Sequence, residues 1–420
     1  MNLEESFNKL FSLHQFGIKL GLENIQRLLQ FIGNPEVSLQ TIHIAGSNGK
    51  GSTASFISSI LMEAGYKTGL YTSPHLVKFN ERIRINGIMI TDDFVLDFMN
   101  DLNGYIDEHS PTFFELTTAM AFKYFAESNV DYAVIETGLG GRLDATNVLN
   151  PLASVITTIS EEHTNILGYD LKKIAFEKGE IIKKNSNTIL GIIEDEPRKV
   201  LINKTVSVDS KCFLLSDHIN PQKDPVELKY NNEQIIISDL PLKGRYQINN
   251  AALAVLAVKA SVPEVNKKQI LAGLKNVINN SGIQARYEIF NKEPQIIFDA
   301  AHNLDGIEEF LNEFKKKAKS YSKNTVIYGT MKDKNYSSIL TRLSQNFDNI
   351  YITEIIYERA ASVEEVVKAA DSAGLKVYPL YEPVEYINEF ISKNKNECLV
   401  ILGSIYVLGE IKKKLLINLT

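Results

Sequence analysis

The apolar pattern changes period within one short stretch. Thr41-Ile42-His43-Ile44-Ala45 is a brief, partly β-branched apolar run, the signature of a buried strand. Gly46-Ser47-Asn48-Gly49-Lys50-Gly51 follows as a glycine turn with one lysine, and from Ser52 onward Phe56, Ile57, Ile60 and Leu61 recur at one-turn spacing. That predicts strand, turn and helix. The same alternation continues along the chain. Residues 3–32 read as helices with a glycine-flanked link at 17–22. Strands are predicted at 68–71, 131–136 and 154–159, and helices over 113–126, 171–184 and 249–260. Residues 226–238 alternate on either side of Asn231-Asn232, a hairpin pattern. The composition turns polar at Asn279-Asn280-Ser281-Gly282, which places a domain boundary there and divides the chain into 1–282 and 283–420. Beyond it, strands at 295–299, 325–329, 349–353, 375–379 and 397–402 alternate with helices, which predicts a doubly wound parallel sheet.

Composition narrows the class. The 420 residues suit two or three domains, and 44% apolar with 23% charged residues is ordinary for a globular protein. A net charge of −6 gives no basic footprint for nucleic acid. Cys212 and Cys398 have no metal-site or disulfide-framework spacing. The start is acidic and lacks a signal peptide's apolar stretch. The longest apolar run, 398–408, is broken by Gly403 and Ser404 and is too short for a bilayer. A cytoplasmic monomer with small-molecule partners, no membrane and no nucleic acid is the expectation.

The glycine turn is where chemistry enters. Backbone N–H groups and the positive end of a helix together make an anion site. Asn48, Gly49, Lys50, Gly51 and Ser52 fit ATP binding, with Lys50 reaching the outer phosphates and a hydroxyl holding Mg²⁺. The first glycine of the usual phosphate loop falls at Gly46 rather than at position 44, and Gly51 stands where Ser or Thr is expected after the lysine. On the loop alone, an ordinary glycine turn remains the competing reading. In an open parallel sheet, ligands bind beyond the carboxyl ends of the strands. Ser73, Glu136 and His163 each follow a different strand, so with Ser52 they can converge as metal ligands. Ser73 reads equally as a plain turn serine.

Several further stretches make the sequence recognisable. They are Tyr71-Thr72-Ser73-Pro74-His75-Leu76, Phe79-Asn80-Glu81-Arg82-Ile83, the Glu136 to Asn147 stretch E-T-G-L-G-G-R-L-D-A-T-N, Glu177-Lys178, Gly244-Arg245-Tyr246-Gln247, Asn249-Asn250-Ala251, Asp299-Ala300-Ala301-His302-Asn303 and Gly403-Ser404. With the loop, they run in order over nearly the whole chain. The sequence resembles the folylpolyglutamate synthase and dihydrofolate synthase family within the Mur ligase superfamily, and the shifted glycine and the Lys50-Gly51-Ser52 order are that family's form of the loop.

The resemblance implies an α/β fold: an N-terminal P-loop ATPase domain with a mainly parallel central sheet, and a smaller C-terminal Rossmann-like domain. It implies an ADP-forming ligase that joins L-glutamate to a folate or dihydropteroate carboxylate through an acyl phosphate. ATP and Mg²⁺ are the implied cofactors. Lys50, Glu136, His163 and Lys178 become the catalytic set, with Lys178 at the position where the family's lysine is carbamylated by CO₂. One Mg²⁺ is implied near Ser73 and Glu136, a second near Glu136 and His163. Asn250, Arg286, Asp299 and His302 then hold ATP. Arg82, Phe113 and Phe114 match the acid substrate's site, although the two phenylalanines read equally well as core-facing. Glu162 stands where the family usually has Asp before the histidine. A cell-wall Mur-type amino-acid ligase, and a non-catalytic nucleotide-binding protein, are the alternatives.

Overall fold

The computed structural model describes all residues except 18–20, 162–167, 169, 221–222, 224, 356, 358, 394 and 418–420, and the side chains of 15 and 16. The chain forms two compact units. The first comprises Met1–Pro74, Asn80–Pro241 and Ile248–Ile283, the second His75–Phe79, Leu242–Gln247 and Gln284–Thr420.

In the first unit, β1 (Thr41–Ala45), β2 (Thr68–Tyr71), β3 (Ile83–Ile85), β4 (Ile88–Met89), β5 (Tyr132–Glu136), β6 (Ala153–Ile156), β7 (Asn187–Leu190) and β8 (Lys211–Leu214) form one sheet in the order β4-β3-β2-β5-β1-β6-β7-β8. At one edge β3 pairs antiparallel with both β2 and β4, and the other pairings are parallel. All five residues of β1 are buried, because a central parallel strand is covered on both faces. With β5 and β6 as its neighbours, the turns that leave β1, β5 and β6 lie side by side. The helix after β1, Lys50–Glu63, packs on the helix Lys267–Ser281 where Gly273 allows backbone contact; a Cβ there would meet Ile60 Cα at 2.4 Å. The hairpin of β9 (Val226–Tyr230) and β10 (Glu233–Ile237) turns through Asn231 at φ 51°, a left-handed conformation that Asn tolerates.

The second unit holds β11 (Glu288–Asn291), β12 (Gln295–Asp299), β13 (Lys323–Gly329), β14 (Asn349–Ile352), β15 (Tyr378–Pro379) and β16 (Glu397–Gly403), in the order β11-β12-β16-β13-β14-β15. Alternate residues face opposite sides. Ile297, Val326, Tyr328, Val400 and Leu402 join one apolar cluster, and Ile296, Phe298, Ile327, Leu399 and Ile401 join another. Leu76 lies in the second cluster with Leu408 and Ile411. Gly409 sits so close that a Cβ would meet the Leu76 carbonyl oxygen at 1.8 Å.

Several elements differ from the sequence pattern, and the following do so for a local reason. The strand predicted to run to 159 stops at Ile156, because the threonines after it turn their hydroxyls to the glycine loop. The helix predicted over 171–184 ends at Gly179, after which Ile181 and Ile182 are buried and the Ile181 carbonyl accepts from Ser154 Oγ at 2.7 Å. β15 begins only at Tyr378. Leu375 still closes the preceding helix, with Gly374 at φ 68° and the Leu375 N–H on Ala370 O at 2.9 Å. The antiparallel edge strand β11 was not anticipated at all, since Glu288-Ile289-Phe290-Asn291 is too short and mixed to show a period.

Candidate active site

The glycine loop is held open by its neighbours. Gly49 is the N-cap of the helix Lys50–Glu63 at φ 85°, and no side chain caps that end, so the first-turn amides face outward as anion donors. Two glycines make room. A Cβ at Gly46 would meet Thr157 Oγ1 at 1.8 Å, and one at Gly49 would meet Asn250 Oδ1 at 2.4 Å. The segment after β6 stitches the loop down. Thr157 Oγ1 donates to Asn48 O at 2.6 Å, Asn48 N donates to Thr158 Oγ1 at 3.0 Å, and Ser160 N donates to Ser47 Oγ at 2.9 Å. Ser52 is buried in the first turn.

Two ammonium groups meet here. Lys50 Nζ donates to Gly46 O at 2.8 Å and to Ser47 O at 3.3 Å. Lys178 Nζ, 1% exposed, donates to the same Gly46 O at 3.0 Å. The nitrogens are therefore at most ~6 Å apart, where like charges repel by about 3 kcal/mol at an effective dielectric of 20. An anion seated between them reverses that sign, so the loop suits a polyphosphate.

Glu136 ends β5 beside this loop, buried, and its Oε2 accepts from Ser73 N at 3.0 Å. The turn that follows is fixed from two sides. Asp144 accepts from Gly138 N at 2.9 Å, Leu139 N at 2.8 Å and Thr146 N at 3.0 Å, and from Thr146 Oγ1. Burial pushes the Asp144 carboxyl upward, and these bonds oppose that shift. Because the Thr146 hydroxyl gives its hydrogen to Asp144, His43 Nε2 must be the donor to Thr146 Oγ1 at 2.7 Å. His43 is then neutral: burial, followed by Lys183, lowers its pKa to about 3. On the other side Arg142 N donates to Glu177 O at 2.8 Å, and a Cβ at Gly141 would meet that oxygen at 2.6 Å. Gly141 thus lets the Lys178 helix lie against the Glu136 turn. Among the described residues no three His, Cys, Asp or Glu cluster as a metal cage. The oxygens of Ser52, Ser73 and Glu136 suit a hard cation that keeps water and phosphate ligands, the habit of Mg²⁺. His163 and Glu162 lie outside the described residues.

Arg82, Phe113 and Phe114 are in the same unit but the two rings diverge. Thr112 caps the helix Phe113–Glu127 in a buried capping box with Glu115, which fixes its first turn. Phe114 lies on the Glu136 turn, where a Cβ at Gly138 would meet its ring at 2.5 Å. Phe113 points away. It stacks on His14 at 4.0 Å and lies under the buried Arg82 guanidinium at 5.1 Å.

The second unit gathers Arg286, Asp299 and His302. Asp299 ends β12, buried, and accepts from Tyr287 N at 2.6 Å and Ala301 N at 2.8 Å. Burial raises its pKa to about 6, with Arg286 opposing. His302 Nδ1 faces Ala300 O at 2.9 Å and must carry the hydrogen, since a carbonyl only accepts. Ala285 and Tyr287, on either side of Arg286, have φ of 53° and 50°, a strain of about 1–3 kcal/mol each. The sequence reading missed Thr157, Thr158, Ser160 and Asp144. The threonines carry no motif, whereas Asp144 sits inside the Glu136 to Asn147 stretch.

Residues 44–258 match the Mur ligase middle domain, and residues 285–405 match the Mur ligase, glutamate ligase domain. The chain is 33% identical to the dihydrofolate synthase/folylpolyglutamate synthase of Bacillus subtilis, over 96% of each chain. In structure it is similar to Escherichia coli FolC in complex with DHPP and ADP, with a TM-score of 0.89, 26% identity, and 100% and 99% of the two chains covered. It is likewise similar to the folylpolyglutamate synthase of Thermotoga maritima, with a TM-score of 0.83, 32% identity, and 99% and 97% covered.

Proposed function

The chain belongs to the folylpolyglutamate synthase/dihydrofolate synthase family of Mur ligases, and from that premise we propose how its residues share the work of an ATP-dependent ligase. The reaction joins L-glutamate to the carboxylate of a pterin-bearing acid and releases ADP and phosphate. A carboxylate is a poor electrophile. Its oxygen first attacks the γ-phosphorus of ATP, the bond to ADP breaks, and an acyl phosphate forms. The glutamate amine then attacks the carbonyl carbon, loses a proton, and phosphate leaves as the amide forms.

The first step brings two anions together, so stabilising that charge dominates catalysis. Lys50 and the open amides of the Lys50–Glu63 helix take the terminal phosphates, while Asn48, Gly49, Gly51 and Asn250 shape the loop around them. Mg²⁺, held by oxygens of Ser52, Ser73 and Glu136 together with His163, would supply further charge neutralisation. The Asp144 bonds keep the Glu136 turn in place. Phe114 offers its ring to the planar pterin and Arg82 its charge to the acid, with Phe113 serving the acid's site through its packing beneath Arg82. Arg286, Asp299 and His302 serve the nucleotide. In this reading the protein works as a cytoplasmic monomer, and no helix among the described residues is long and apolar enough to cross a membrane.

The convergence of Lys50 and Lys178 on Gly46 O, beside Glu136, is the observation that carries the reading. Its test is a substrate panel with product masses. Dihydropteroate, a reduced folate monoglutamate, or both should support glutamate-dependent ADP release, and a UDP-linked muropeptide precursor should not. Turnover with the muropeptide and with no pterin would move the protein to the cell-wall branch.

Asp299 gives a pH prediction. Its folded pKa of about 6 lies above the ordinary 3.8, so the folded chain binds an extra proton between those values. Its contribution to fold stability therefore rises as pH falls through that window. Nucleotide affinity should move the other way, weakening below pH ~6 as the carboxylate is lost. Thermal melts and ADP titrations across that range check the pair of trends. Parallel trends, or a midpoint unaltered in Asp299→Asn, would remove Asp299 from the nucleotide's site.

A further inference from the structure

Arg286 sits on backbone that would not choose its conformation unaided. The residues flanking it are left-handed although neither is glycine. Such conformations persist only where the surroundings over-determine them. Two of the contacts that hold this one come from β12 and the residue after it: Tyr287 N donates to Asp299 Oδ2, and Ala300 N donates to Ala285 O at 3.0 Å. A third is internal, from Ala285 N to Glu288 Oε2 at 2.8 Å. Glu288 is itself held. Its other oxygen, Oε1, accepts from Lys412 Nζ at 2.5 Å, and the same ammonium donates to Gln284 Oε1 at 2.8 Å.

Lys412 lies on the helix Ile405–Ile417 and is 5% exposed, whereas the next two residues, Lys413 and Lys414, are exposed. Burying an ammonium is costly unless it is paired. This one is paired to the two residues that bracket the strained segment, Gln284 before it and Glu288 after it. A clamp that only fastened the helix to the sheet would have no need to grip both ends of Ala285-Arg286-Tyr287.

We propose that Lys412 is a positioning residue which, through Glu288 and Gln284, holds the strained segment and so presents Arg286 to the nucleotide. The proposal rests on the reading that Arg286 serves the nucleotide, and the experiment separates the two. ADP dissociation constants, and ATP KM against kcat, are measured for Lys412→Met, Lys412→Arg, Glu288→Gln, Arg286→Ala and the Lys412→Met/Arg286→Ala double variant. Lys412→Met should raise the ADP Kd and the ATP KM about tenfold with kcat within about twofold, and should add nothing in the Arg286→Ala background. Lys412→Arg should restore affinity. Glu288→Gln, which keeps the side-chain size, should shift the Kd in the same direction, and it serves as the test should Lys412→Met fold poorly. An unchanged Kd in folded Lys412→Met, or a fully additive double variant, overturns the clamp while leaving Arg286 in place. An unchanged Kd in Arg286→Ala overturns the assignment of Arg286 and the clamp with it.

Discussion

Lys50→Ala should fold like the parent and lose about 10³-fold in turnover, roughly 4 kcal/mol of transition-state stabilisation. The fold should survive for a specific reason. Removing the Lys50 ammonium leaves Gly46 O with its second donor, Lys178 Nζ at 3.0 Å, and alanine is at ease in the first turn of a helix. Turnover should fall because the ammonium stands where the terminal phosphates and the attacking carboxylate crowd together. The loss should therefore appear in kcat more than in the KM for the pterin acid, since the repulsion is greatest as the new bond forms. Steady-state kinetics beside a thermal melt decide the matter. Near-parent turnover in a well-folded variant would take the loop out of the mechanism.

Lys178→Ala should cost about 10²–10³-fold in activity, and formate or acetate should restore part of it. Unmodified, Lys178 and Lys50 repel each other across Gly46 O. The Lys178 ammonium first loses one proton; the neutral amine then adds CO₂, forming an N–C bond and releasing a second proton, so that a cation is replaced by a carbamate anion. The pair then attracts, and two oxygens become available to orient metal-bound groups. This follows the carbamylation that the family resemblance implies. Lys178→Met separates the packing from the chemistry, because it keeps most of the buried stem without the nitrogen. It should be more stable than Lys178→Ala and no more active. Intact-protein mass should show one added CO₂ on the parent under gentle conditions. An active, nucleotide-bound enzyme with a bare Lys178 amine would contradict the modification, and a fully active Lys178→Met would dismiss the residue.

What was legible in the sequence was what local pattern encodes. The strand and helix around the glycine loop appear where the period changes, at Thr41–Ala45 and Lys50–Glu63, because burial of a central strand and one face of a helix leaves a direct trace. Glu136 and Ser73 could be paired in advance, since topology sends neighbouring strand ends to one place. Less was legible where a residue acts through its hydrogen bonds. Thr157 and Thr158 look like the tail of a strand, and only the structure shows their hydroxyls on Asn48. Phe113 and Phe114 are adjacent letters, yet a helical turn of about 100° per residue sends their rings to different neighbours. Lys412 gave no signal, because one lysine among several in a helix reads as a solvated face.

Leu76 ties the history of the chain to its structure. It is made together with the strands of the first unit, but the cluster that buries it includes Leu408 and Ile411, and Gly409 closes on its carbonyl. As the polypeptide is synthesised, the short segment His75–Phe79 must wait, apolar and uncovered, until the helix Ile405–Ile417 exists. Contacts so distant in sequence form late and leave intermediates open to aggregation. A premature stop anywhere before that helix would therefore leave Leu76, far upstream in the sequence, without the side chains that bury it.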